Sequence, residues 1–233
     1  MTFASLASSS KGNAYVVSDG DTTLLLECGL PFKELQKRLG FRVTGLSACL
    51  VSHEHQDHAK AAAQMMGHGV PVFMSYGTAA AHKDPMDEAC IIRAGQVLRF
   101  GALTVTPFPA YHNTEEPLGF LIEDGRTKER LLFAVDTANL HVLADRLTYI
   151  AVECNYEEAL LARSTRLTSV LKDRIRRSHF ELDRVIGWLR KLDLSGVLAI
   201  YLLHLSAAHS RAAAWQARLE REFPGIAIHI CEE

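Results

Sequence analysis

The chain of 233 residues has five cysteines but no Cys-x-x-Cys pair, two tryptophans and an aromatic content of only 8%. Cys28, Cys49, Cys90, Cys154 and Cys231 are widely spaced, mostly in apolar strand-like runs. That pattern argues against a disulfide scaffold or a thiolate metal site and predicts buried free thiols in a reducing cytosol. The longest uncharged apolar run, 196–203, is far short of the roughly 20 residues a membrane-spanning helix needs, so no membrane partner is expected. The N-terminus lacks a basic region, and Ser8-Ser9-Ser10-Lys11 interrupts it, which argues against a signal peptide and for a cytoplasmic location. An excess of charge of one sign is also missing. At a net −2, affinity for nucleic acid has to come from a local patch.

A hydrophobic content of 48% with 22% charged residues is ordinary for a folded chain. No low-complexity linker or short repeat divides it, so one α/β domain over 1–233 is expected.

Against that background one stretch is dense in chemistry. Ser52-His53-Glu54-His55-Gln56-Asp57-His58 places three imidazoles and a carboxylate within six residues, directly after the apolar run 48–51. The run reads as a buried strand and 59–66 as a helix stopped by Gly67, so the ligand-type residues occupy the turn between them. Residues two apart on extended backbone face the same way, so His53 and His55 can converge on one ion. Asp57 and His58 open the helix and point elsewhere, which suits a second ion. Imidazole with carboxylate suits zinc, iron or manganese.

Strands are expected at 2–7, 13–18 and 22–28, a helix over 31–39, and strands at 71–75, 91–100 and 103–108. A short helix falls at 77–82, and 118–123 with 130–135 reads as a hairpin across the charged turn 124–129. A strand at 149–153 precedes two helices, 157–177, broken near Ser164-Thr165, and 180–192. A buried strand at 197–203, a helix over 207–223 and a strand at 226–231 close the chain. Each half begins with strands and closes with a helix, which predicts two packed sheets with helices outside. Further ligands belong where strands end, because a sheet holds them rigidly. His112, Asp136 and His204 meet that test.

Together these residues resemble the metallo-β-lactamase-fold hydrolases. Their His-x-His-x-Asp-His motif is matched by His53 to His58, and their later ligands by His112, Asp136 and His204 in order. The resemblance implies an αββα sandwich of two mixed β-sheets with helices on the outer faces. It further implies two divalent metal ions, zinc or manganese with iron as the third choice. His53, His55 and His112 would bind one ion, Asp57, His58 and His204 the other, and Asp136 would bridge them. Within the superfamily the chain is similar to the YycJ/WalJ-like group of 5′-to-3′ DNA exonucleases. Ser8 to Asn13, Leu26-Glu27-Cys28-Gly29-Leu30, His112 to Phe120, Leu171 to Ile175, His179 and His204-Leu205-Ser206 carry that likeness. Glu27 stands where the group has an aspartate, His209 where it has an asparagine, and Asn113, Thr114, Ser178, Phe180, Glu181 and Leu182 also depart from it. The 67 residues between Asp136 and His204 are too few for the β-CASP insert of the larger nucleases.

The expected function is therefore phosphodiester hydrolysis with DNA as substrate, by a hydroxide held between two ions. Asp57 would accept its proton besides binding metal. His179 would contact phosphate or protonate the leaving group. The segment 163–177 holds Arg163, Arg166, Lys172, Arg174, Arg176 and Arg177 against one acid, Asp173. Lys172, Arg174 and Arg176 are the expected backbone contacts, with Asn13 offering a further anion contact in the N-terminal turn. A solvated helix face also accounts for such a run. Two other readings stay open: a thioester or lactone hydrolase of glyoxalase type, and a nucleic-acid-binding protein with a structural metal. Oligomeric state is open as well. His68, His82, His141, His209 and His229 are expected in surface or packing roles.

Overall fold

A computed structural model of the chain describes residues 1–232. They divide into two compact units, Met1–Pro109 with Thr114–Glu129, and Ala110–Asn113 with Arg130–Glu232.

In the first unit, β1 (Thr2–Ser9), β2 (Gly12–Ser18) and β3 (Thr23–Leu26) form an antiparallel meander. Helix α1 (Phe32–Arg38) then crosses to β4 (Ala48–Leu50), which lies parallel to β3. Two short helices, α2 (Gln56–Ala59) and α3 (Ala62–Gly67), cross to β5 (Val72–Ser75). Helix α4 (Tyr76–Ala81) crosses to β6 (Cys90–Ile92), giving a mixed sheet in the order β1-β2-β3-β4-β5-β6. Parallel neighbours need such crossovers, and the Val-, Leu- and Cys-rich strands are buried as parallel strands usually are. Leu25, Cys49, Val51, Val72 and Met74 pack with Leu35, Ala59, Ala62 and Met65 from the helices. An antiparallel trio follows: β7 (Leu98–Phe100), β8 (Leu103–Pro109) and β9 (Leu118–Asp124). It faces the six-stranded sheet, with the Phe73 and Phe100 rings edge-on at 5.2 Å.

The second unit is built on four parallel strands, β10 (Arg130–Ala134), β11 (Tyr149–Glu153), β12 (Ala199–Leu203) and β13 (Ala227–Ile230). Helices α5 (Glu158–Arg163), α6 (Ser169–Ser178) and α7 (Leu182–Leu189) connect β11 to β12, and α8 (Ala212–Glu222) connects β12 to β13. The protein is an α/β fold of two mixed β-sheets with helices. No helix among the described residues is long and apolar enough to cross a membrane.

Several boundaries differ from the periodicity. The stretch 91–100 is two strands in two sheets, because Gly95 at φ +80° turns the chain and its N–H donates to Pro107 O. The helix expected over 59–66 begins earlier and breaks at Lys60-Ala61, where Ala61 N donates to Cys28 O instead of staying in its own helix. Gly69, at φ +78°, turns the chain after it. The break in 157–177 spans 164–168, and Thr168 caps α6 by accepting from Leu171 N. The helix expected from 207 begins at Ala212.

Candidate metal centre

Strand ends hold most of the chemistry, and several turn sharply there. Glu27, Asp136 and His204 have φ of +64°, +45° and +53°. Such backbone costs about 1–3 kcal/mol in a non-glycine residue and concentrates at functional sites.

In the first unit, the end of β3 and the turn after β4 clasp one another. Glu27 N donates to Leu50 O, Cys28 N to His58 O at 2.8 Å, and Gly29 N to Asn13 O. His53 Nε2 lies 3.1 Å from His55 Nδ1, and His58 Nε2 lies 3.4 Å from Asp57 Oδ2. Donors about 2.05 Å from a tetrahedral zinc sit about 3.3 Å apart, so these separations fit ligands of divalent ions. On the opposite ring nitrogens, His53 Nδ1 lies 2.9 Å from Ser52 Oγ, and His58 Nδ1 lies 3.2 Å from Glu27 Oε2. A carboxylate behind a histidine fixes its tautomer and raises its basicity as a ligand. Burial pushes the Glu27 carboxyl above the ordinary range, and His58 and Ser52 pull partly against it.

Asn13 does not face solvent as an anion contact would. It is fully buried, its Nδ2 donates to Ser9 O and Asp57 O, and it lies 3.2 Å from His58 Nε2. It braces the ligand turn.

In the second unit, Glu153 pairs with Leu203 in register, which sets Asp136, Glu153 and His204 at the carboxyl ends of neighbouring parallel strands. Ligand sites of α/β sheets characteristically form at such ends. Ligand atoms of Asp136, Glu153, His179 and His204 lie within 4.8 Å of one another. His112 Nε2 is 3.4 Å from Asp136 Oδ2, and its Nδ1 is 2.6 Å from Ser178 O at the end of α6. His204 Nδ1 is 3.3 Å from Asp136 Oδ1. Asn155 Nδ2 donates to His204 O at 2.8 Å.

His179 stacks on His204, with ring centroids 5.7 Å apart, and its Nδ1 is 2.5 Å from Glu153 Oε1. The other oxygen of Glu153 accepts from Thr137 N and Phe180 N. Burial raises the Glu153 carboxyl above its usual range, and His179 works against that.

Two of the expected phosphate contacts are committed elsewhere. Lys172 Nζ donates to Ala162 O, and Arg176 pairs with Glu158 and Asp173. Arg174 is exposed. Glu27, Glu153 and Asn155 escaped sequence reasoning as site residues. For Glu153 the signal was present, a carboxylate ending an apolar strand; for Glu27 and Asn155 it was weaker.

Comparison with known proteins decides the family. The profile described as Beta-lactamase superfamily domain matches residues 22–204, most of the chain. The chain belongs to that superfamily. It is 26% identical over 235 residues to the exodeoxyribonuclease YycJ of Bacillus anthracis, covering 84% of this chain and 88% of that protein. Among solved structures, the metallo-β-lactamase-fold protein YhfI of Bacillus subtilis is similar, with a TM-score of 0.77, 16% identity and coverage of 99% and 96%. Unliganded yeast PDE1 gives a TM-score of 0.70 at 10% identity, covering 99% and 96%. This superfamily member has the metallo-β-lactamase fold and is a metal-dependent hydrolase. Its histidine and aspartate clusters suit divalent metal.

Proposed function

We propose that the protein is a phosphodiesterase acting on nucleic acid, a DNA exonuclease working from the 5′ end. The single observation that carries this reading is the arrangement around His179: Glu153 orients its ring beside Asp136 and His204, and the arginine-bearing helix α6 leads straight into it. The similarity to YycJ, named an exodeoxyribonuclease, supports the same reaction class.

Following the order of ligands in the superfamily, His53, His55 and His112 would hold one ion and Asp57, His58 and His204 the other, with Asp136 a further ligand. Two bound divalent ions would supply Lewis acidity and lower the pKa of an attacking water. Asp57 accepts a proton at its carboxylate. His179, its Nδ1 anchored on Glu153, presents its other ring nitrogen to the phosphate or leaving oxygen. Glu27, Asn13 and Ser52 keep the ligand rings of the turn aimed. The protein works in the cytoplasm on DNA, with zinc or manganese.

The test uses purified protein with manganese or zinc on 5′- and 3′-end-labelled DNA, bis-p-nitrophenyl phosphate and a thioester, beside Asp57→Ala. DNA should shorten from its 5′ end, and Asp57→Ala should lose about 100-fold or more of the diester rate, about 3 kcal/mol of barrier. Intact DNA with cleaved thioester would replace this reading by the glyoxalase-type one.

A further inference from the structure

The elbow between α5 and α6 bounds a cleft of about 320 Å³ that the chemistry above does not use. Leu160, Arg163, Ser164, Thr165 and Arg166 line one side, and His209, from the loop after β12, lines the other. Arg163 and Arg166 are exposed, and neither forms an ion pair among the described residues. The basic segment thus divides in two. Lys172 and Arg176 tie α6 to α5, while Arg163 and Arg166 face the cleft.

No carboxylate lines this cleft, and its one ring is the His209 imidazole. Two guanidinium forks with hydroxyls beside them match a phosphate, bidentately where geometry allows, and the lack of a Phe, Tyr or Trp ring argues against base stacking as the main contact. The loop that carries His209 is held in place: Glu157 N donates to His209 O, Ser206 N to Asn155 O, and Ser206 Oγ lies 3.2 Å from His209 Nδ1. Asn155 in turn donates to His204 O. His209 is five residues past His204, so at most about 18 Å of chain separates them. A nucleic-acid strand carries one phosphate per roughly 3.4 Å of helix axis, so that span covers about five phosphates.

We propose that this cleft is a subsite for a backbone phosphate of a nucleic-acid strand, engaged by Arg163 and Arg166 within about five nucleotides of the phosphate at His204. The inference rests on the phosphodiesterase reading for what happens at His204, but the binding itself is measured separately.

The probe is a fluorescent, hydrolysis-resistant phosphorothioate 12-mer of thymidine, titrated by anisotropy against metal-loaded protein across salt concentrations. Arg163→Gln/Arg166→Gln should raise Kd about tenfold. It should also flatten the slope of log K against log salt by about 1.4, two contacts at about 0.7 each on a single strand. Lys33→Gln/Arg99→Gln removes the same charge from exposed positions in the first unit and should match the parent. Because both arginines are exposed, Tm should not move; His209→Gln, with one partner lost, should weaken binding by a smaller factor. Parent-like binding by the double variant, or equal loss in the control, overturns the subsite. Hydrolysis of bis-p-nitrophenyl phosphate by the parent reads the metal centre alone, so a failed nuclease reading shows there and not in the binding slope.

Discussion

A hydrogen atom at Gly29 lets two segments meet. A Cβ built there would lie 1.7 Å from Asp57 O and 2.7 Å from His58 N, both backbone atoms that cannot rotate away. Gly29→Ala should therefore push the ligand turn off β3, costing about 1–3 kcal/mol of stability and lowering bound metal. Metal content by mass spectrometry beside Tm checks this; full metal content with a parent-like Tm would show that the turn has slack. The histidines of the turn were legible because their spacing is local. Gly29 was visible only as a letter in Leu26-Glu27-Cys28-Gly29-Leu30, since what it touches lies 28 residues further on. Glu153 shows the same limit: its place at a strand end is readable, but its grip on His179 is a contact across 26 residues.

Among the elements, α6 connects the exposed basic region to the site. It starts at the Thr168 cap and ends at Ser178, whose carbonyl receives His112, with His179 next in the chain. Few of its side chains are buried, so the cap and the Arg176–Glu158 pair carry much of its local order. Solvent screens an exposed pair of this kind, so it contributes little, and the cap contributes about 1 kcal/mol. Thr168→Ala should raise hydrogen exchange of the α6 amides several-fold while Tm shifts little. Unchanged protection along 171–177 would mean packing, not the cap, holds the helix. The break between α5 and α6 was legible from Ser164-Thr165, two poor helix formers. The division of the arginines was not, because a run of positive charge says nothing of which members find a carboxylate.

At the scale of the whole molecule, acid stability should depend on a carboxylate cluster that holds no ligand-type residue of the site. Arg126 pairs with Asp19 and Asp21, and Asp124 accepts from Arg126 N and Thr127 Oγ1. Burial alone would raise the Asp19 and Asp124 carboxyls, but backbone N–H groups and Arg126 outweigh it and leave both below the usual range. A carboxylate depressed in the folded state stabilises it above the unfolded pKa, and that contribution fades as pH falls through the folded value. Stability should thus drop below about pH 4, the ordinary aspartate value. Asp19→Asn should lose less over that range than the parent. Parallel Tm profiles from pH 6 to 3 would assign the acid sensitivity to other groups.

The sequence by itself determined the alternation of strands and helices, the seven ligand-type residues from His53 to His204 and the likeness to a hydrolase superfamily. Periodicity, turn residues and short motifs are local, so they survive without coordinates. Only the tertiary structure decided that Asn13 braces the ligand turn, that Glu27 and Glu153 stand behind His58 and His179, and that Arg163 and Arg166 share a cleft with His209. Each of those facts is a contact between residues tens of positions apart in the chain, made only when the fold brings them together, and nothing local to either partner encodes it.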